Sequence, residues 1–248
     1  MDAAQLSKRL VAHRGYQHRY PENTLLALKE ALAGGVRHLE FDVQLTADHV
    51  PVLIHDTDLY RTCGIHKNIL HLNHDQLAEY SACEPWRLGH KYHGEPIPTL
   101  AQAILWASAQ SAVELFVEIK EESIATFGNE TVFDAVLPVL QPMATQIHLI
   151  SFDMPFIAAA WERWPQVGLV LRHWPPTQEE MERCKPDILF VNKRRIKQLQ
   201  HLSYIGVPVV VYEIDTVRRA RYWLKHGAAY LESYRAADLL AGWKTRQR

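Results

Sequence analysis

Short apolar runs alternate along the chain with segments whose apolar residues recur at helical spacing. Runs of this kind are typical of buried strands, and the spaced segments are typical of amphipathic helices. The strand-like runs are RLVAH (9–13), VRHLEFDVQL (36–45), VPVLIH (50–55), AVELFVEIK (112–120), QIHLIS (146–151), VGLVLR (167–172), DILFVN (187–192), VPVVVYE (207–213) and AAYLES (228–233). The helical segments are TLLALKEALAGG (24–35), TLAQAILWASAQ (99–110), TVFDAVLPVL (131–140), MPFIAAAWERW (154–164) and TVRRARYWLKHG (216–227). Asn23 or Thr24 can cap the first helix, and Gly34 and Gly35 can end it.

This alternation predicts parallel strands that are joined by crossover helices. Eight strand and helix units in 248 residues fit a (β/α)8 TIM barrel, with the run 50–55 as an additional strand. A doubly wound open sheet is the alternative architecture. Because no linker, repeat or low-complexity stretch divides the chain, residues 1–248 are predicted to form one domain.

Residues 57–98 interrupt this rhythm, because they are rich in turn residues and too long for a simple loop. We interpret them as a small inserted subdomain after the second strand, at the barrel end where loops build active sites, and we expect it to roof the site. The segment holds the histidines His66, His71, His74, His90 and His93, with Cys63 nearby. These side chains could hold zinc, but their spacing matches no structural zinc site, which favours solvated loop histidines.

Composition and charge restrict the classes of partner. With 48% hydrophobic and 22% charged residues and a net charge of −1, the chain has neither a basic block nor an acidic tail. Nothing therefore indicates binding to nucleic acid or to an anionic membrane surface. No apolar run approaches the roughly 18 residues that span a bilayer, so no stable membrane insertion is expected. The start lacks a signal-peptide core and the three cysteines are widely separated, so we expect a cytoplasmic protein.

Two of the predicted strands carry a pair of charged residues at a spacing of two. Glu40 and Asp42 lie two residues apart, so their carboxylates leave the same side of one strand, and Glu118 and Lys120 repeat this spacing. One explanation is that these charged residues form the solvent-facing side of a half-exposed strand. In a parallel barrel both faces are covered, and Glu40, Asp42 and Glu118 would form an oxygen-rich site suited to Mg²⁺ or Ca²⁺. Lys120 and Arg14 would then face an anion, with salt bridges to these carboxylates as the alternative.

Two histidines end predicted strands at the same rim. His13 ends the first strand, and His55 ends the run VPVLIH. Each alone is more often a structural histidine than a catalytic one. Beside a carboxylate cluster and an arginine, they suit general acid and base roles.

The residues around these positions resemble the signature of the glycerophosphodiester phosphodiesterase family. The matching run is HRGYQHRYPENTLLALKEALAGGVRHLEFDVQLTADHVPVLIHDTDLYRT (13–62). The family signature reads His-Arg-Gly, Pro-Glu-Asn-Thr, Glu-x-Asp-Val, Thr-x-Asp, His-Asp and Arg-Thr, and the spacing matches throughout. Similarity continues through GEPIPTL, VEIK, DILFVN and VPVVVYEID, and so covers nearly the whole chain.

The resemblance implies a (β/α)8 barrel with a small insertion that hydrolyses glycerophosphodiesters, its small-molecule substrates, to glycerol 3-phosphate and an alcohol. It assigns one divalent cation, Mg²⁺ or Ca²⁺, to Glu40, Asp42 and Glu118. It assigns acid and base roles to His13 and His55, and phosphate contacts to Arg14 and Lys120. It leaves open which histidine is the acid, whether a cyclic phosphate forms first, which headgroup is preferred and whether the chain is oligomeric.

The resemblance weakens near the carboxyl end of the chain. Where the family usually reads Trp or Tyr, Thr, Val, Asn after strand seven, this chain reads Tyr212, Glu213, Ile214, Asp215. Ser233 and Tyr234 stand where strand eight usually closes with Thr-Asp. These changes either alter the leaving-group side of the pocket or have no effect.

Two alternatives to simple hydrolysis follow from the same resemblance. A catalytically inactive barrel could bind phosphodiesters as a sensor or accessory protein, although the complete set of site residues favours the enzyme. A lyase that releases cyclic phosphate, like the related spider-venom phospholipases D, is less favoured because the disulfides of those secreted enzymes are not expected here.

Overall fold

The computed structural model describes residues 1–197 and 201–245. Residues 198–200 and 246–248 of the predicted domain 1–248 lie outside the described residues. The strands are β1 (Leu10–Ala12), β2 (His38–Leu45), β3 (Pro51–Leu53), β4 (Glu114–Ile119), β5 (Ile147–Ser151), β6 (Val167–Leu171), β7 (Ile188–Asn192), β8 (Val209–Tyr212) and β9 (Tyr230–Ser233). The α-helices are α1 (Ala3–Ser7), α2 (Leu25–Ala33), α3 (Tyr60–Cys63), α4 (His74–Leu77), α5 (Pro85–Leu88), α6 (Leu100–Ser108), α7 (Glu121–Leu140), α8 (Met154–Ala160), α9 (Gln178–Cys184), α10 (Val217–Lys225) and α11 (Ala236–Thr245). Short 3₁₀ helices cover Ile69–His71, Gln141–Gln146 and Leu202–Ile205.

Eight parallel strands close into a barrel. Their order around it is β1, β2, β4, β5, β6, β7, β8 and β9, and β9 pairs back with β1. The predicted (β/α)8 TIM barrel is therefore confirmed. The open sheet is excluded because the pairings of β1 with both β9 and β2 close the ring, so that each of the eight parallel strands has a neighbour on both sides. The run 50–55 supplies β3, which pairs antiparallel with β2 as an additional strand.

The barrel strands are buried on both faces, as parallel strands usually are. Their inward side chains fill the barrel interior; this cluster contains Val11, Phe116, Ile150, Val170, Ile188, Phe190 and Val210. The larger core lies between the outer face of the barrel and the helices. Polar residues on the inner face thus face either this apolar cluster or the barrel mouth.

Each predicted helix is present, and threonine begins several of them. The Thr24 hydroxyl accepts from the backbone N–H of Ala27, and α2 ends just before Gly34, as predicted. Thr99 and Thr216 cap α6 and α10 in the same way. Helices α1, α9 and α11 and the first half of α7, which breaks at Gly128, were not predicted from the sequence. No helix in the described part of the chain has both the length and the apolar character needed to cross a lipid bilayer.

Residues 57–98 carry the short helices α3, α4 and α5 and a separate apolar cluster. In that cluster Leu59 and Ile69 are fully buried together with Val52 of β3. The two ends of the segment lie close together, because Val52 forms a β-bridge with Thr99 and the Leu53 N–H donates to the Pro98 carbonyl at 2.8 Å.

Candidate active site

The predicted site residues meet at the carboxyl ends of the barrel strands. They follow β1 (His13, Arg14), lie in β2 (Glu40, Asp42), follow β3 (His55) and occupy or follow β4 (Glu118, Lys120). In the parallel pair of β2 and β4, Asp42 stands opposite Glu118. A cavity of about 230 Å³ opens here, lined by His13, Arg14, His55, Glu118, Lys120, Phe152, Val170, Phe190, Asn192, Tyr212, Glu213, Glu232 and Tyr234.

Three carboxylates lie together at the bottom of this site and are called the carboxylate floor below. Glu118 lines the cavity, whereas Glu40 and Asp42 are not among its lining residues and lie next to Glu118. Glu40, Asp42 and Glu118 each offer an oxygen, and these oxygens all lie within 4.8 Å of one another. All three residues are buried, and Glu40 Oε1 has no hydrogen-bond partner in the part of the chain that the structure describes. A buried charged oxygen without a partner is costly, and hard divalent cations prefer carboxylate ligands. The residues present therefore fit a Mg²⁺ or Ca²⁺ ion.

Arg14 and Lys120 already form ion pairs with these carboxylates. Arg14 Nε lies 2.9 Å from Asp42 Oδ2, and its Nη1 donates to Glu22 Oε1 at 2.9 Å. Lys120 Nζ lies 2.7 Å from Glu118 Oε1 and 3.4 Å from Asp42 Oδ1. The salt bridges considered as an alternative are thus present, while both side chains still line the cavity.

Burial and neighbouring charges shift the pKa values of the three carboxylates in different directions. Burial raises the pKa of Glu40 well above its usual value, and the negative charge of Asp42 raises it further. Burial alone would also raise the pKa of Asp42, but Arg14 and Lys120 hold it far below its usual value. The pKa of Glu118 is raised by burial in spite of Lys120. Asp42 is thus the member of the cluster most firmly held as a carboxylate.

His13 is enclosed by side chains from neighbouring strands. Its ring stacks on Tyr234 with centroids 4.4 Å apart and planes inclined by 12°. Its Nε2 lies 3.8 Å from Glu40 Oε2, and its Nδ1 lies 3.9 Å from Glu232 Oε2. Burial lowers the pKa of His13 well below its usual value, and Arg14 lowers it further.

The backbone after His13 takes an unusual conformation. Arg14 has a φ of +54°, which residues other than glycine adopt only at a cost of about 1 to 2 kcal/mol. Its N–H donates to Glu40 Oε2 at 2.9 Å, and this hydrogen bond supports the conformation. Non-glycine residues with positive φ often occur at functional sites.

His55 also lines the cavity and belongs to a chain of charged groups. Its Nδ1 lies 2.5 Å from Asp56 Oδ1, and Asp56 Oδ2 accepts from Arg61 Nε at 2.6 Å. Arg61 also donates through Nη1 and Nη2 to the two carboxylate oxygens of Glu22, both at 2.8 Å. This arrangement fixes the ring of His55, which lines the cavity.

Several residues that hold the site were not singled out from the sequence. Glu22 and Asn23 belong to the Pro-Glu-Asn-Thr motif, which was the signal available for them. Asn23 donates through Nδ2 to Asp42 Oδ2 at 2.9 Å and accepts at Oδ1 from the Asp42 N–H at 3.0 Å. Asp56 and Arg61 belong to the His-Asp and Arg-Thr motifs.

Glu232 is a further buried carboxylate at the site. It lies in β9, lines the cavity and belongs to a second group of potential ligands with His13 and Glu40. Its place inside the run AAYLES, a charged residue within a predicted strand like Glu40 and Asp42, was the signal available for it in the sequence.

The divergent carboxyl-terminal residues lie at the cavity. Tyr212, Glu213 and Tyr234 are among its lining side chains. Glu213 has a φ of +63°, and its Oε2 lies 3.5 Å from Lys193 Nζ and 3.8 Å from Arg194 Nε. These residues therefore shape the cavity wall directly.

Residues 57–98 lie beside this cavity. None of them is among its lining residues in the described chain, but several, including Tyr60 and Arg61, line a neighbouring cavity that shares His55. That the segment roofs the site therefore stays a prediction. Its contacts with the site run through Arg61 and through Glu84, which accepts from the Glu22 N–H at 2.7 Å. Within the described residues, neither group of potential metal ligands includes a histidine of this segment.

Comparison with known proteins gives a consistent family match. The model of the glycerophosphoryl diester phosphodiesterase family matches residues 13–227. Glycerophosphodiester phosphodiesterase 1 of Bos taurus is 37% identical over 94 residues, which are 38% of this chain and 28% of that protein. A glycerophosphodiester phosphodiesterase of Bacillus altitudinis is 31% identical over 116 residues, 45% of each chain. The chain thus spans less than half the length of these relatives in the matched regions.

A solved structure resembles the whole fold. It is a phosphodiesterase of Oleispira antarctica in complex with its product sn-glycerol-3-phosphate, with 26% identity and a TM-score of 0.83. The match covers 97% of this chain and 98% of that one.

Proposed function

The chain belongs to the glycerophosphoryl diester phosphodiesterase family, and from this membership we propose that it hydrolyses glycerophosphodiesters to glycerol 3-phosphate and an alcohol. The observation that carries the proposal is the meeting of three carboxylates, two cationic side chains and two histidines at one cavity. The product complex of the similar Oleispira antarctica phosphodiesterase supports the same substrate class.

We assign Mg²⁺ or Ca²⁺ to Glu40, Asp42 and Glu118. The buried and unpartnered Oε1 of Glu40 and the all-oxygen donor set favour a hard cation over zinc. When bound, such an ion would supply positive charge that stabilises the non-bridging oxygens of the phosphodiester.

Arg14 and Lys120 supply fixed positive charge for the phosphate. A guanidinium carries five N–H donors and an ammonium three, so each can keep a carboxylate partner and still donate to a phosphate oxygen. Their ion pairs hold both groups in place before substrate binds, which lowers the entropy lost on binding. Asn23 and Glu22 keep Asp42 and Arg14 in this arrangement.

His13 and His55 transfer the protons of the reaction. One removes a proton from the attacking hydroxyl group or water, and the other gives a proton to the leaving oxygen. His55 has its Nδ1 against Asp56, and His13 has its Nε2 towards the carboxylate floor. Both assignments of acid and base fit these positions, and both attack by water and attack by the glycerol 2-hydroxyl remain compatible with them.

Phosphorus NMR of the reaction products tests the proposal directly. Glycerophosphocholine and glycerophosphoethanolamine are incubated with the protein and Mg²⁺ or Ca²⁺, and we expect the glycerol 3-phosphate resonance to appear. A transient cyclic phosphate would identify attack by the glycerol hydroxyl. Tight binding of the diesters without turnover under any cation would contradict hydrolysis and favour the inactive phosphodiester-binding barrel.

A further inference from the structure

Glu232 places a fourth carboxylate in the interior of the barrel mouth. The residue is 3% exposed and lines the cavity from β9. It is not needed for the Mg²⁺ or Ca²⁺ site proposed above. The two positively charged side chains of the site, those of Arg14 and Lys120, form their ion pairs with carboxylates other than Glu232.

Two buried carboxylate oxygens here have no hydrogen-bond donor within the described residues. They are Oε1 of Glu232 and Oε1 of Glu40, and the buried Nδ1 of His13 likewise has no partner among these residues. An unsatisfied buried acceptor costs about 1 to 3 kcal/mol, and more when it is charged. A bound cation can satisfy several such oxygens and a neutral imidazole nitrogen at once.

The distances between these groups allow an ion among them once the ligand atoms draw together around it. His13, Glu40 and Glu232 each offer one ligand atom, and these atoms lie within 4.8 Å of one another. His13 Nδ1 lies 3.9 Å from Glu232 Oε2, which is too long for a direct hydrogen bond. Two ligands at about 2.1 Å from one ion are roughly 3 Å apart when adjacent and about 4.2 Å apart when opposite.

We propose that His13, Glu40 and Glu232 form a second divalent-cation site, which shares Glu40 with the site of Asp42 and Glu118. The mixture of imidazole and carboxylate donors suits a transition-metal ion such as Mn²⁺ better than Ca²⁺. Because Glu40 belongs to both groups, the two ions would lie about 3.5 to 4 Å apart, the usual spacing of paired metal sites.

Occupation of the second site has a consequence that rests on the proposed function. His13 cannot hold an ion and transfer a proton at the same time. An ion bound to His13 therefore inhibits hydrolysis, so turnover rises while the first site fills and falls again as the second site fills. In Glu232→Gln, which lacks the second site, turnover should rise with cation concentration and not fall again.

Counting bound Mn²⁺ tests the site without any need for turnover. Equilibrium dialysis gives the stoichiometry, and electron paramagnetic resonance shows whether two ions are close, because coupling between neighbouring Mn²⁺ ions broadens the sharp spectrum of an isolated one. We expect two equivalents and a broadened spectrum for the wild type. Glu232→Gln should bind one equivalent and keep the sharp spectrum.

Two further variants make the result specific. Glu213→Gln removes another carboxylate of the cavity wall and should bind Mn²⁺ like the wild type. His13→Asn should lose the second equivalent and keep the first, which supports the assignment even if the Glu232 variant does not fold. One equivalent in the wild type, or two in folded Glu232→Gln, would overturn the proposal. A protein that binds two equivalents but hydrolyses no diester under any cation would refute the proposed function and leave the second site standing.

Discussion

Arg14 Nε lies 2.9 Å from Asp42 Oδ2, so a guanidinium that we assign to phosphate already pairs with a carboxylate that we assign to the cation. Lys120 is placed in the same way against Glu118, at 2.7 Å. In the cation-free protein these two ion pairs offset part of the repulsion among the carboxylates. When a divalent cation and a phosphodiester bind together, the cation would interact with the carboxylates of these pairs and the phosphate with Arg14 and Lys120.

The first prediction concerns the cation. Mg²⁺ or Ca²⁺ should raise the melting temperature, because the ion relieves the repulsion among Glu40, Asp42 and Glu118. At a concentration 100-fold above Kd, the expected stabilisation is about 2.7 kcal/mol. Calorimetric titration and thermal unfolding measure the affinity and the shift.

A matched pair of variants checks that prediction. Glu40→Gln should lose most of the affinity for the cation. Glu114 lies at the exposed start of β4, and Glu114→Gln should bind the cation like the wild type. Undiminished activity after exhaustive chelation would contradict the assignment, as would wild-type affinity in Glu40→Gln.

The second prediction separates proton transfer from cation binding. His55→Ala should lower kcat by roughly 10²- to 10⁴-fold, with little change in the affinity for Mg²⁺ or for glycerol 3-phosphate. The same loss is expected for His13→Ala, and the double variant should cost less than the sum of the two. Steady-state kinetics beside calorimetry measures both quantities.

The exposed His66 provides the control for these histidines. As His55 lies beside Asp56, so His66 lies beside Asp58, but on the flank of the site. His66→Ala should therefore leave kcat unchanged. If His55→Ala instead abolishes Mg²⁺ binding, His55 belongs to the coordination shell and the proton passes through another group.

The third prediction is a pH dependence of stability that arises from Glu22. Burial alone would raise the pKa of Glu22, but Arg14 and Arg61 lower it from 4.5 to about 2. Because the folded pKa lies below the unfolded one, the ionised carboxylate stabilises the fold above about pH 4.5, and this stabilisation is lost as the pH falls towards 2. The difference in pKa corresponds to at most roughly 3 kcal/mol.

Urea unfolding at a series of pH values tests this effect of Glu22. The stability difference between the wild type and Glu22→Gln should shrink as the pH falls through that window. Glu179→Gln, which removes an exposed ion pair with Arg183, should show no comparable dependence. A difference that stays constant with pH would contradict the expected ionisation.

The meeting of Asp42 and Glu118 shows what the sequence could predict. The spacing of two residues within a buried strand was enough to place Glu40 and Asp42 on one side. Their approach to Glu118 follows from the barrel, in which consecutive parallel strands lie side by side and Asp42 stands opposite Glu118. Strand bounds and several helix caps were predictable for the same local reasons.

The contacts that were missed depend on distant parts of the chain. Arg61 reaches Glu22 across 39 residues, and that contact depends on how residues 57–98 fold. Glu232 reaches His13 only because β9 pairs with β1 when the barrel closes. Spacing along one strand cannot show which face of β9 points inward, so the register across the closing seam decides the role of Glu232.

The fourth prediction treats residues 57–98 as the separate subdomain that we propose. Because Val52 pairs with Thr99, a short Gly/Ser linker can join the ends when the segment is removed. The shortened protein should fold, with KM for glycerophosphoethanolamine raised by roughly tenfold, the effect of losing about 1.4 kcal/mol of binding free energy. The physical cause is the loss of Arg61, which holds Glu22 and Asp56.

Two controls accompany this deletion. Arg61→Gln in the full chain should reproduce most of the rise in KM. Replacing Val52 and Ile54 by threonine in the shortened protein removes apolar side chains that the segment had covered. A shortened protein that fails to fold even with these replacements would mean that the segment is part of the barrel core.

The last prediction concerns Gly15, which follows Arg14 at the first strand end. Gly15 has a φ of +76°, and a Cβ there would lie 2.6 Å from the backbone carbon of Ala27 in α2. Since a helix backbone cannot move aside cheaply, Gly15→Ala should destabilise the fold by about 2 to 4 kcal/mol, from left-handed strain and overpacking together. Gly206 has nearly the same φ, +79°, but nothing lies within 4 Å of its Cβ position, so Gly206→Ala should cost only the strain, about 1 to 2 kcal/mol. Urea unfolding of the two variants gives the contact contribution as the difference between them. Equal losses would show that α2 yields to the added methyl group, in which case the packing of Gly15 against Ala27 does not fix the positions of His13 and Arg14.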